Sequence, residues 1–297
     1  MTLYAGRPPF RSWTLDAGQG HRLHVDEWGA PNGRPALLLH GGPGSGCSPL
    51  LRRFFDPARY RVIGLDQRGA GRSVPRGETA HNDTGHLLAD LRSLRRRLGL
   101  ARWLVVGGSW GATLALAHAL DEPQAVAGLL LRALFLPRQP DIDAFFAGGP
   151  PLAALAAGLD GGSAERRRCA LAWWRHELQR CGGELEAEPS GEALDALVDR
   201  YRVQAHYLLR RCWLDEPPLL QRCTALPPVP TLLLHARDDR VCPPAAAMSL
   251  LALCPHARLQ WIELGGHDPA QPAMAAAMVS ALDAFAANGD FETPPPR

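Results

Sequence analysis

Five consecutive residues, Gly107-Gly108-Ser109-Trp110-Gly111, carry the strongest chemical signal in the chain. A serine with glycine two positions to either side, between a strand-like apolar run and a helical stretch, fits a sharp strand-to-helix turn. Such a turn lifts the hydroxyl clear of the main chain, and the glycines let backbone pass close without a Cβ clash. The helix behind the serine aims N–H groups and a positive dipole end at any negative charge that develops there. This is the equipment of a serine nucleophile for acyl transfer. The competing reading is a glycine-rich turn whose serine merely caps a helix.

A nucleophilic serine needs a base, an acid to orient that base, and donors for an oxyanion. His40-Gly41-Gly42-Pro43-Gly44 ends an earlier apolar run, and its glycines free a backbone amide to face a substrate carbonyl. Gly41 and Gly42 are therefore oxyanion candidates, together with the N–H of Trp110, the residue after the serine. In this arrangement the acid and the histidine follow late strands, in that order. Asp238 and Asp239 follow the run at 231–234, and His267 follows the run at 259–264 behind Gly265-Gly266. His267 reads as the general base. Spacing alone does not choose between Asp238 and Asp239.

The elements that must position these residues are visible as hydrophobic pattern. Runs at 13–15 and 23–28 read as a leading antiparallel pair. Those at 36–39, 61–65, 103–106, 126–131, 231–234 and 259–264 have strand length, and the first lacks polar alternation, as strands covered on both faces do. Helical spacing appears at 84–98, with Leu87, Leu88, Leu91, Leu94 and Leu98 on one face, and helices are also expected at 110–120 and 272–287. This alternation predicts an α/β architecture with a doubly wound, mostly parallel sheet. From 137 to 226 the alternation stops. Ala/Leu/Arg-rich helical segments broken by glycine pairs at 148–149, 161–162 and 182–183 predict an inserted helical cap. The expected organisation is a core of 1–136 and 227–292, a cap of 137–226, and a disordered Pro-rich tail at 293–297.

Composition narrows the chemistry. The 297 residues are 46% hydrophobic with a net charge of +2, as in a globular protein with a sizeable core. The chain has no lysine, so all 32 basic residues are arginine, and a pyridoxal Schiff base or a P-loop lysine is excluded. Scattered charge predicts no nucleic-acid partner, and the absence of a long apolar run predicts no membrane span. The seven cysteines form no CxxC pair and no Cys/His metal spacing, so reduced thiols and no metal or organic cofactor are expected. With no signal segment visible, the expected location is cytoplasmic.

Taken together, these motifs resemble the proline iminopeptidase (prolyl aminopeptidase) family, α/β hydrolases with a helical cap. The resemblance rests on Leu39-His40-Gly41-Gly42-Pro43-Gly44, Asp66-Gln67-Arg68-Gly69-Ala70-Gly71-Arg72-Ser73, Gly107-Gly108-Ser109-Trp110-Gly111-Ala112-Thr113-Leu114-Ala115-Leu116, His235-Ala236-Arg237-Asp238-Asp239 and Gly266-His267. It implies Asp239 as the acid, because the family's acid ends a His-Gly-Arg-x-Asp segment. It also places Asp66 near the site but outside the triad.

The family removes N-terminal proline from peptides, and glutamates of its cap hold the free α-ammonium. The first glutamate falls in an Ala-Trp-x-x-Trp-Glu segment, matched by Ala172-Trp173-Trp174-Arg175-His176-Glu177. The second falls in Arg-Ile-Glu-Asn-His-Tyr-Phe, where this chain has Arg202-Val203-Gln204-Ala205-His206-Tyr207-Leu208. Gln204 thus replaces a glutamate and loses a charge-assisted contact worth roughly 1–3 kcal/mol. The resemblance implies a small peptide or arylamide substrate; an esterase or amidase of the same fold is the alternative, and a non-catalytic binding protein a more distant one. Epoxide hydrolases and haloalkane dehalogenases share fold and cap but need an Asp nucleophile where this chain has Ser109.

Overall fold

The computed structural model describes residues 3–183 and 187–292; the tail at 293–297 lies outside them. Eight strands form one sheet: β1 (Arg11–Gly18), β2 (His21–Gly29), β3 (Arg34–Leu39), β4 (Tyr60–Leu65), β5 (Trp103–Gly108), β6 (Val126–Arg132), β7 (Thr231–Ala236) and β8 (Ala257–Ile262). Their order is β1-β2-β4-β3-β5-β6-β7-β8. β1 and β2 pair antiparallel, β2 joins β4 antiparallel, and every later neighbour is parallel. The expected run at 259–264 is corrected to Ala257–Ile262. Glu263 and Leu264 lie beyond the pairing, and Leu264 is 77% exposed.

The unalternating apolar runs have a direct cause. Successive strand residues face opposite sides, and both sides are covered. Leu37, Leu39 and Val105 pack on one face against α1 (Thr84–Arg97) and α2 (Trp110–Asp121), whereas Ala36, Leu38, Leu104 and Val106 face the layer that receives Met278, Leu282 and Phe285. Asp83 caps α1, its carboxylate accepting from the His86 N–H at 2.9 Å.

Between β6 and β7 the chain runs through α3 (Gln139–Phe146), α4 (Leu152–Leu159), α5 (Ser163–Arg180), α6 (Gly191–Leu208) and the single turn α7 (Leu219–Arg222). These helices build a third apolar cluster around Ile142, Phe146, Leu159, Trp173 and Tyr201. α6 is also anchored downward, since Val203 and Tyr207 belong to the sheet's core and the Tyr207 hydroxyl donates to Asn82 Oδ1 at 2.9 Å. α8 (Ala245–Leu251), which the pattern did not predict, follows β7, and α9 (Pro272–Asn288) follows β8. Among the described residues no helix is long and apolar enough to cross a membrane.

Candidate active site

Ser109 joins β5 to α2 with φ 56° and ψ −125°, a conformation that L-residues rarely adopt. The turn is held by a hydrogen bond from the Ser109 N–H to the Arg132 carbonyl at 3.0 Å. It exists only because glycine stands on either side. A Cβ at Gly107 would sit 2.2 Å from the Gly111 carbonyl oxygen, and one at Gly111 would sit 2.2 Å from that of Leu39.

Behind the elbow, the loop after β4 braces the loop after β3. The Gln67 N–H donates to His40 Nε2 at 3.0 Å, and its side-chain amide spans from the His40 carbonyl to the Trp110 indole N–H. Burial lowers the His40 pKa, so the ring is a neutral spacer. Asp66 accepts from the Cys47 and Arg72 N–H groups and so ties the same loops together. The backbone N–H groups of Gly41, Gly42 and Trp110 have no partner among the described residues. A Cβ on Gly41 would lie 3.5 Å from Ser109 Cβ, which brings this loop against the elbow.

Asp239 and His267 meet at the ends of β7 and β8. His267 Nδ1 is 2.9 Å from Asp239 Oδ2, while Asp239 Oδ1 accepts from the N–H groups of Val241 and Cys242, both at 2.9 Å. Burial pushes this carboxyl up, but the facing His267 and the Cys242 N–H outweigh it and hold it below its ordinary value. Asp238 is exposed and does something different. Its Oδ1 accepts from the N–H groups of Gly265 at 3.0 Å and Gly266 at 2.9 Å, clamping the turn that delivers His267.

Ser109 and His267 make no hydrogen bond in this conformation. The serine hydroxyl lies 3.7 Å from Cys242 Sγ instead. Burial first and then the Asp239 charge push the Cys242 thiol pKa well above its ordinary value, which disfavours the thiolate.

Gln204 and Glu177 lie in different surroundings. Gln204, 8% exposed, lines a narrow cavity of about 40 Å³ beside Ser109, together with Gly42, Phe135, Phe145 and Phe146. Its Oε1 is buried with no partner among the described residues. Glu177 does not line that cavity. Its carboxylate is taken up by Arg200 Nη2 at 2.5 Å and by the Tyr201 hydroxyl at 2.8 Å. His176, where the family segment has a second tryptophan, is buried with its Nε2 on the Phe145 carbonyl.

Residues 35–149 match the family described as alpha/beta hydrolase fold. A probable proline iminopeptidase of Leptolyngbya boryana is 34% identical, with 96% of this chain and 97% of that one covered. The proline iminopeptidase of Xanthomonas citri is also 34% identical, with 96% and 99% covered. The chain belongs to the proline iminopeptidase family. The solved proline iminopeptidase of Mycobacterium smegmatis shares its fold at 18% identity, with a TM-score of 0.65 and 94% and 100% of the two chains covered.

Two residues of this proline iminopeptidase family member, Arg132 and Arg200, were not singled out by sequence pattern, and His235 entered only as the start of a matching segment. Arg132 is buried at the end of β6, and its Nη1 donates to the His267 carbonyl at 2.7 Å. His235 stands behind Asp239, 3.9 Å away, and donates from Nε2 to the Cys242 carbonyl. Arg200 lies four residues before Gln204, one helical turn, and that spacing was the available signal.

Proposed function

We propose that this chain is a serine aminopeptidase that releases N-terminal proline from peptides through an acyl-enzyme on Ser109. The observation that carries the reading is the His267–Asp239 pair at 2.9 Å, delivered to the same strand ends as a serine held in a left-handed elbow. With Nδ1 bound to the carboxylate, the imidazole keeps Nε2 as its free acceptor. Attack requires the Ser109 hydroxyl to turn from Cys242 toward that nitrogen.

In the acylation step Ser109 Oγ bonds to the scissile carbonyl carbon while His267 takes the hydroxyl proton. The oxyanion is received by N–H groups of Gly41, Gly42 and Trp110. Collapse breaks the C–N bond, and His267 returns the proton to the departing amine. Water, deprotonated by the same imidazole, then attacks the ester and releases proline and Ser109. Asp239 holds the tautomer and stabilises the imidazolium throughout.

We read helices α3–α7 as a cap over the site, with Gln204 facing the prolyl residue. Seven unpaired cysteines fit a cytoplasmic location. The test is turnover of proline p-nitroanilide by the wild-type chain and by Ser109→Ala. Release of nitroaniline by the first and not the second is expected; equal rates would overturn the mechanism.

A further inference from the structure

A site that selects a protonated amine needs an unspent negative charge, because moving a cation out of water without one is costly. None of the described residues lining the cavity at Ser109 brings a carboxylate to it. The walls are apolar, formed by Phe135, Ile142, Phe145 and Phe146, and the one amide side chain among the described lining is that of Gln204. The carboxylate of Glu177, which lies outside that lining, is neutralised by Arg200 at 2.5 Å and further occupied by the Tyr201 hydroxyl. The α6 backbone at Arg200 lies against the loop after β3, since a Cβ on Gly44 would sit 2.6 Å from the Arg200 carbonyl oxygen.

Gln204 supplies chemistry that a glutamate does not. Its unpartnered, buried Oε1 accepts a hydrogen bond from an amine, and a half-turn of the amide presents N–H donors to a carbonyl instead. A carboxylate only accepts. A neutral acyl group entering this cavity leaves no charge stranded.

We propose that the acyl subsite does not require a cationic amine, so that the enzyme hydrolyses arylamides of small neutral cyclic acyl groups alongside prolyl ones, and that Arg200 sets this tolerance by neutralising Glu177. The inference rests on the reading of Ser109 as the nucleophile with the acyl group against Gln204. Bond and proton balance are those of the prolyl reaction: the Ser109 Oγ–acyl bond forms, the arylamide C–N bond breaks, and the serine proton leaves on the arylamine.

The test compares kcat/KM of the full chain for the p-nitroanilides of proline, N-formylproline and cyclopentanecarboxylic acid at a pH of about 7, where an α-amino group is mainly protonated. A charge-assisted contact is worth on the order of ten- to a hundredfold, so the account expects the three values to agree within about tenfold. A prolyl advantage beyond that overturns it. Arg200→Met should release Glu177 and raise the prolyl-to-cyclopentanecarbonyl ratio by about tenfold or more, whereas Arg200→Lys, which keeps the charge, should leave it in place. An unchanged ratio in folded Arg200→Met removes Arg200 from the role. If that variant does not fold, Gln204→Glu gives the same readout, because it puts a carboxylate into the cavity directly. Turnover of none of the three anilides, with no serine labelling, overturns the nucleophile reading and the inference with it.

Discussion

The floor and the roof of the cavity at Ser109 are built under different rules. The floor consists of the loops after β3, β5, β6 and β7, which bring Gly42, Ser109, Phe135, Val241 and Cys242 to the cavity. The roof consists of helices α3 and α6, whose contributions to the cavity are the side chains of Ile142, Phe145, Phe146, Gln204 and Leu208. A floor position tolerates few residue types, since Gly107 and Gly111 each meet a carbonyl oxygen at 2.2 Å if a Cβ is added. A roof position such as 204 tolerates glutamate or glutamine without a change of backbone. Backbone contacts therefore constrain the floor, whereas the roof is constrained through its side chains.

That contrast is broken or sharpened by substitution. Ser109→Ala should cost the largest amount, about 10⁴-fold or more in kcat, equally for every substrate. Asp239→Asn should follow, with a loss of roughly 10³- to 10⁴-fold, because an amide facing His267 Nδ1 enforces the wrong tautomer. Asp238→Asn loosens only the turn at Gly265-Gly266 and should cost less than about tenfold. A reversed ranking of the two in kcat would show the wrong carboxylate in the floor. Arg132→Met removes the donor to the His267 carbonyl and should lower kcat by about tenfold with KM unchanged, on prolyl and neutral anilides alike. A substrate-dependent effect would place Arg132 with the roof.

The smallest effect concerns acid stability. The Asp239 carboxyl titrates lower in the folded chain than in the unfolded one, so its ionised form favours the fold. That contribution is complete above the ordinary carboxylate range and is lost as pH falls through the lowered folded value. Asp239→Asn should therefore lose stability at neutral pH and show a flatter decline toward acid, as read from urea midpoints across a pH series. An identical pH slope in both proteins would contradict the shift.

Legibility in the sequence follows the same division. The Ser109 elbow, the Gly41-Gly42 loop and the His267 turn were readable because glycine marks positions where only a missing Cβ allows the approach. The central strands and their alternation with α1, α2 and α9 followed from pattern because those strands are covered on both faces, whereas the mostly exposed β1 shows the polar alternation of an edge. The end of β8 was misplaced by two residues, since Leu264 is apolar yet 77% exposed and only pairing shows where the strand stops. The preference for Asp239 over Asp238 rested on the family resemblance; in the structure Asp239 faces His267, and Asp238 holds the turn before it. The Arg200–Glu177 pair was not readable. It joins α5 to α6 across 23 positions, and nothing in either segment alone announces that one charge will cancel the other.

The central claim is that Ser109, and not the thiol beside it, is the group that attacks. Peptide mass mapping after treatment with an alkyl fluorophosphonate tests this most directly, with residual proline p-nitroanilide turnover followed in parallel. The account predicts a single adduct on Ser109, loss of activity in step with labelling, and far slower labelling in Asp239→Asn. An adduct on Cys242, or full activity in a protein fully labelled at Ser109, would contradict it.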